Sequence, residues 1–196
     1  MSLKLITPPA VEPVTLEEAK KQVELPLSAT SHDDQLTRLI KAAREDVERH
    51  TRRALITQTW RRSLPAFPSG RIFIPRPPLR SVSIEYYDGV GVSQSLASEL
   101  VQVDTDSAPG SVEPAPDETW PSTQALRRDA VTIEFECGFG DAASDVPEVY
   151  RQLILEIVAF RFWYRGDMQM KIPDHIMWSM NALRCGAHGG FYGLRS

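Results

Sequence analysis

Only two cysteines, Cys137 and Cys185, occur in 196 residues. That excludes a disulfide-stapled scaffold and points to reduced thiols in a cytosolic setting. A basic excess is also missing: Lys and Arg total 22 against 26 Asp and Glu, for a net charge of -4. Dedicated nucleic-acid binders usually carry the opposite balance, so that class recedes. Long apolar runs are lacking. The longest, Leu153 to Tyr164, is interrupted by Glu156 and Arg161 and is too short to span a bilayer. The opening MSLKLITPPAVEP has no continuous apolar stretch of the kind a secretion signal needs, which argues against export. Internal repeats are absent.

Catalytic and metal-binding patterns are scarce as well. His32, Asp33 and Asp34 are adjacent, but no further His or Cys stands at ligand spacing, so a solvated helix start explains them. Cys185 and His188 form a lone C-x-x-H, short of the three or four ligands a metal requires. Cys137 as a nucleophile would need a paired histidine, and nothing marks His50 or His175 as that partner. Gly138-Phe139-Gly140-Asp141 lacks the Lys-Ser/Thr element of a phosphate loop, and a tight strand-to-helix turn accounts for its glycines. No catalytic, metal-binding or cofactor-binding residue is assigned.

What is present is an ordinary globular composition, 42% hydrophobic and 24% charged, in a chain long enough to bury its own core. Residues 1–14 read as an extended lead punctuated by Pro8, Pro9 and Pro13. Thr15 with Glu18 three residues on is a capping-box pattern, opening a helix with Leu16, Ala19 and Val23 on one face. After a polar loop, Ser31 stands as a second cap and Asp33 and Asp34 suit the positive end of a helix dipole. Leu36, Leu39, Ile40, Ala43 and Val47 then form the stripe of an amphipathic helix ending near Thr51. Arg38, Arg44, Glu45, Glu48 and Arg49 are assigned to its polar side.

Composition shifts at residue 55. The runs ITQTWRRSL, RIFI, SVSIEYY, SQSLA, LVQV and VTIEFEC are short, often alternate with period two, and are separated by Pro and Gly turns. They predict a small antiparallel sheet or sandwich inserted between helices over 55–140. The Pro-rich stretch 104–128 reads as a long edge loop.

Pro147 starts a third helix, to about Arg165, that is apolar around nearly its whole circumference. Such a helix must be covered on all sides, by the chain's own core or partly by an identical neighbour. A fourth follows Pro173, with Ile176, Met177, Met180 and Leu183 as its face and Gly186 as its stop. The expected class is α+β: a core of about four helices (15–54 and 147–185) carrying a β-rich insertion. The Gly-rich tail 186–196 has no core of its own. Arg-Arg pairs at 52–53, 61–62 and 127–128 fit solvated surface, a subunit interface, or DNA passing nearby. Phe160, Trp163, Arg52 and Arg53 are the candidate subunit-interface residues.

Several segments together resemble one family. They are LKLITPPAVEPVTLEEAK, the helix end running into RALITQTW, FPSGRIFIPRPPLRSVSIEYYDGVG, VDTDSAPGSVEPAP and FECGFGDAASDVPE. The chain is similar, from about Leu3 to Arg165, to the head–tail connector (adaptor) proteins of long-tailed phages and gene transfer agents. The resemblance implies a structural, non-enzymatic neck subunit without cofactor, assembled in the bacterial host cytoplasm and residing in the virion. It implies a ring of about a dozen copies beneath the portal. Its partners would be further copies of itself, the portal protein and a downstream stopper or tail protein, with double-stranded DNA passing through unread and no membrane involved. It also implies that the tail reaches the portal, with Phe191, Tyr192, Leu194 and Arg195 as docking residues. The rival readings are another neck ring, such as a stopper or tail-completion protein, and a DNA-binding packaging factor.

Overall fold

The computed structural model describes residues 2–165 and 171–186. The chain divides into two compact units. One is built from 9–56 and 139–184 and is helical. The other, built among the described residues from 2–8, 57–138 and 185–186, is β-rich. The class is α+β, as the sequence indicates.

In the helical unit, α1 spans Leu16–Gln22 and α2 spans Asp33–Thr51. Helix α3 spans Glu148–Trp163 and α4 spans Asp174–Ala182. The Thr15 cap forms as expected: Glu18 N–H donates to Thr15 Oγ1 at 3.2 Å, and Thr15 N–H donates to the Glu18 carboxylate at 2.7 Å. The α2 stripe is buried through Leu36, Ile40, Ala43 and Val47, and α3 contributes Tyr150, Leu153, Ile154, Ile157, Val158 and Phe162 to the same core.

Three local expectations are corrected here. Ser31 does not cap α2; His32 occupies the cap position without a side-chain hydrogen bond, and Asp33 instead pairs with Lys20 at 2.7 Å. Helix α4 stops at Ala182 with Leu183 as its cap, well before Gly186. Arg44 and Glu48, assigned above to the polar side of α2, are buried. Their charges are tolerated because Arg44 is held by Glu12 at 2.8 Å and Glu48 at 2.7 Å, while the other Glu48 oxygen accepts from Leu55 N–H at 2.9 Å. A buried ion pair with its remaining hydrogen bonds filled avoids most of the desolvation penalty.

The β-rich unit has strands β1 (Ser2–Thr7), β2 (Gln58–Leu64), β3 (Ile72–Phe73) and β4 (Leu79–Tyr87). These are followed by β5 (Ser93–Ser95), β6 (Val101–Asp104), β7 (Ser111–Pro114) and β8 (Val131–Cys137). Antiparallel pairing joins them in two sheets, ordered β1-β2-β8-β4-β5 and β3-β7-β6. Alternation in β8 is strict: Val131, Ile133, Phe135 and Cys137 are buried, and Thr132, Glu134 and Glu136 lie on the opposite face.

Two further expectations change in this unit. Residues 104–128 are not only a loop, since β7 lies within them and is the middle strand of its sheet, with Val112 fully buried. The lead is more than an extended approach, because β1 forms an edge of the five-stranded sheet against β2. Gly110, entering β7, is required by packing: a Cβ there would come within 2.8 Å of Leu79 and of the Asp104 carbonyl. Gly138 adopts φ 133°, a conformation open to glycine at the exit of β8.

Candidate interaction surfaces

Among the described residues no group of three or more His, Cys, Asp or Glu is placed to hold a metal ion, and no helix is long and apolar enough to cross a membrane. His32 turns its ring edge-on to Phe162 at 5.4 Å. An open, shallow depression on the β-rich unit is lined mainly by polar side chains, Thr59, Ser81, Ser83, Glu134 and Glu136. What the described chain offers is surface, and each unit contributes its own.

On the helical unit the surface is aromatic. Alternate sides of α3 diverge toward its C-terminus: Phe162 is buried, while Trp163 and Tyr164 are 61% and 56% exposed. Trp163 rests edge-on against Phe162 at 5.3 Å, and Phe160 is half-buried with its ring 5.1 Å from Tyr164. The helix expected to be covered all round is therefore uncovered at one end. On α4, Ile176 and Met180 turn inward and leave Trp178 73% exposed. Trp178 was not singled out from sequence, although its place opposite Ile176 and Met180 on a 3.6-residue turn was the available signal.

The candidate arginines at the end of α2 separate. Arg52 is exposed and takes a left-handed backbone conformation, φ 58°, that ends the helix. Arg53 is half-buried and donates Nε–H to the Leu183 carbonyl at 3.3 Å. Candidate docking residues Phe191, Tyr192, Leu194 and Arg195, like His188, lie outside the described residues.

Ion pairs brace the helical unit internally. Arg161 of α3 pairs with Asp46 of α2, and Arg151 of α3 pairs with Glu18 of α1 while donating to the Pro13 carbonyl at 3.0 Å. At Glu18 partial burial pushes the carboxyl pKa up, but the Thr15 hydrogen bonds and the Arg151 charge outweigh it and hold it below its ordinary value. At Arg44 burial pulls the guanidinium down, and Glu48 and Glu12 more than offset it.

On the β-rich unit the outer face of the larger sheet is polar, and its charges are matched: Arg61 with Glu134 at 2.8 Å and Arg80 with Glu136 at 3.2 Å. Arg71 pairs with Glu113 at 3.1 Å, and Arg62 donates to the Phe73 carbonyl at 2.7 Å. Arg127 lies over the Tyr87 ring, 3.3 Å from its centroid. The arginine pairs at 61–62 and 127 thus have partners inside the unit. The edge strand β1 differs, since all six of its residues are exposed, Leu3, Leu5 and Ile6 among them.

Residues 13–114 match the family described as phage gp6-like head-tail connector protein. Three solved structures share the fold. A chain of the neck of an empty gene transfer agent (GTA) particle, computed with C6 symmetry, is 21% identical, with a TM-score of 0.79 over 95% of this chain and 96% of that one. A chain of the native GTA virion is 22% identical, with a TM-score of 0.78 over 97% and 100%. A chain of the native GTA neck, computed with C12 symmetry, is 23% identical, with a TM-score of 0.74 over 95% and 96%. No curated protein matches the chain.

Proposed function

This chain belongs to the phage gp6-like head-tail connector family, and we propose that it works as the subunit of an oligomeric ring in the neck of a virus-like particle. The ring would sit beneath the portal, join the DNA-filled capsid to the tail, and leave a channel for DNA. The observation that carries this reading is the aromatic surface of the helical unit, where Trp163, Tyr164 and Trp178 all face solvent. Monomeric proteins seldom expose several large aromatics that nothing covers, and buried Trp and Tyr dominate the energetics of protein interfaces.

Phe160, Trp163 and Arg52 are proposed to meet a neighbouring copy, with Arg53 contributing only by holding the α2 end against Leu183. The segment after Gly186, with Phe191, Tyr192, Leu194 and Arg195, is proposed to dock on the portal. The protein acts by fit alone and turns over no substrate. DNA passes it without being read, in keeping with arginines already matched to carboxylates.

Mixing the purified chain with the portal protein of the same particle and imaging the product tests the reading. Rings seated on the portal in the absence of other neck proteins are expected. A stopper or tail-completion protein would need a further neck component first, and failure to bind portal in any mixture would defeat the connector reading. Truncation after Gly186 is expected to yield filled heads without tails; normally tailed particles would remove the docking role of that segment.

A further inference from the structure

Strand β1 is an edge left open. Natural proteins protect long edge strands with proline, lysine and other charges, or irregular pairing, because an unpaired ladder recruits another strand. Here the irregularity falls late, between Leu5 and Thr7, so that Ser2–Leu5 presents regular backbone with no proline and one charge, Lys4, on the face away from Leu3 and Leu5. The register sets Leu3 opposite Arg62 and Leu5 opposite Trp60, which in turn stand opposite Ile133 and Phe135. Directly opposed side chains share a face, so Leu3 and Leu5 lie on the core side of the sheet. They are nevertheless 41% and 37% exposed. Core-side leucines at the margin of a sheet gain burial only if the sheet continues.

The same unit has a second open edge of matching character. β6 ends the three-stranded sheet, and Val101 and Val103 stand opposite Pro114 and the fully buried Val112. Val103 is 41% exposed even so. The two edges lie on different flanks. Arg62 of β2 reaches the Phe73 carbonyl, which places β3 near the β1 side, and β6 is on the far side of β7 from β3. Of the two other edges, β5 is three exposed residues, Ser93, Gln94 and Ser95, and offers nothing apolar, while β3 is only two residues long, with its Phe73 carbonyl already taken by Arg62.

We propose that adjacent copies join edge to edge, β1 of one copy adding an antiparallel strand to β6 of the next. The regular part of β1, Ser2–Leu5, equals β6 in length. Antiparallel pairing puts Leu5 beside Val101 and Leu3 beside Val103, burying apolar against apolar. It also sets Lys4 beside Gln102, diagonal to Asp104 and next to the strand that carries Glu113, so charge is matched on the polar side. One chain then bears both complementary flanks, the heterologous arrangement from which closed rings are made. Backbone hydrogen bonds supply attraction and the alternation supplies register.

The inference rests on the ring reading, and the test separates the two. Full-length protein carrying Leu3→Cys and Val103→Cys together is assembled with portal and treated with a short thiol cross-linker. A ladder of covalent multimers is expected from rings, and neither single variant should give one, because Cys137 and Cys185 are buried. In parallel, Val103→Lys should lower ring yield at fixed concentration by at least about tenfold, the effect of one apolar contact replaced by a charge. Val90→Lys, at an 85% exposed turn position, should not. Rings that form normally from Val103→Lys, or that give no ladder from the double variant, overturn the edge pairing and leave the ring intact. If the wild-type chain forms no rings with portal, the ring reading fails and the edge pairing fails with it.

Discussion

Replacing Trp163 with alanine should separate assembly from folding. The side chain is 61% exposed. A tryptophan presents roughly 150–250 Å² for burial, so an interface that covered the exposed share would remove roughly 90–150 Å² from water. At about 25 cal/mol per Å² that is worth roughly 2–4 kcal/mol at each junction, or about thirty- to a thousandfold in association. Folding should lose less, because only the covered share of the side chain, which includes the edge-on contact with Phe162, is given up, roughly 60–100 Å² or about 1.5–2.5 kcal/mol. Every copy presents the same residue, so the loss recurs around the ring and assembly should fail cooperatively. Sedimentation velocity of the portal mixture measures the first quantity and urea denaturation of the isolated chain the second. Trp163→Ala protein that assembles at wild-type concentrations, or loses more stability than association, would show that this end of α3 belongs to the fold and not to an interface.

Two predictions concern the folded chain alone. Arg44→Ala removes the counter-ion of the Glu48 carboxylate, which is only 5% exposed and keeps its Leu55 N–H donor, and should cost about 3–5 kcal/mol in chemical denaturation; a loss under about 1 kcal/mol would mean that the hydrogen bonds left to Glu48 are enough to hold its charge. Because the folded pKa of Glu18 lies below its ordinary value of 4.5, its contribution to stability is complete above about pH 4.5 and is lost as pH falls through the folded value. Glu18→Gln should therefore lower stability near neutrality and flatten the acid limb of a stability-versus-pH curve, and an unchanged acid limb would refute the assigned pairing with Thr15 and Arg151.

What could be read from sequence was whatever a local rule governs. The Thr15–Glu18 box needs four consecutive residues, and the α2 stripe needs one helical period; both appear as expected. The alternation of β8 was visible because that strand has one face in the core and one in water. Strand β7 was hidden because Ser111 and Val112 are a short buried pair between Pro109 and Pro114, with no alternation to follow. Strand β1 was hidden for the opposite reason: its partner β2 lies more than fifty positions away, and the prolines that follow dominate the local signal. Arg44 and Glu48 look like surface charges by type, and their burial depends on partners outside the helix, Glu12, 32 residues upstream of Arg44, and the Leu55 N–H beyond its end. The apolar circumference of α3 left open whether the core or an identical neighbour covers it, and which aromatics remain outside follows from where α1, α2 and α4 pack.

The distribution of charge bears on what can hold copies together. An acidic chain with many arginines suggests assembly by salt bridges, yet the described arginines are largely occupied at home. Arg44, Arg151 and Arg161 brace helices; Arg61, Arg71 and Arg80 are matched across strands. Transferring any of these to a neighbour would exchange one ion pair for another, with little net gain in water-exposed settings. Groups that gain by meeting a second surface are those left without cover inside the chain: Trp163, Tyr164 and Trp178 on the helical unit, and the margins of β1 and β6 on the other. Charge then governs which contacts are refused, while uncovered apolar area and open backbone edges decide which contacts persist. Among the described residues, an arginine matched in this way gains little by exchanging its carboxylate for another anion.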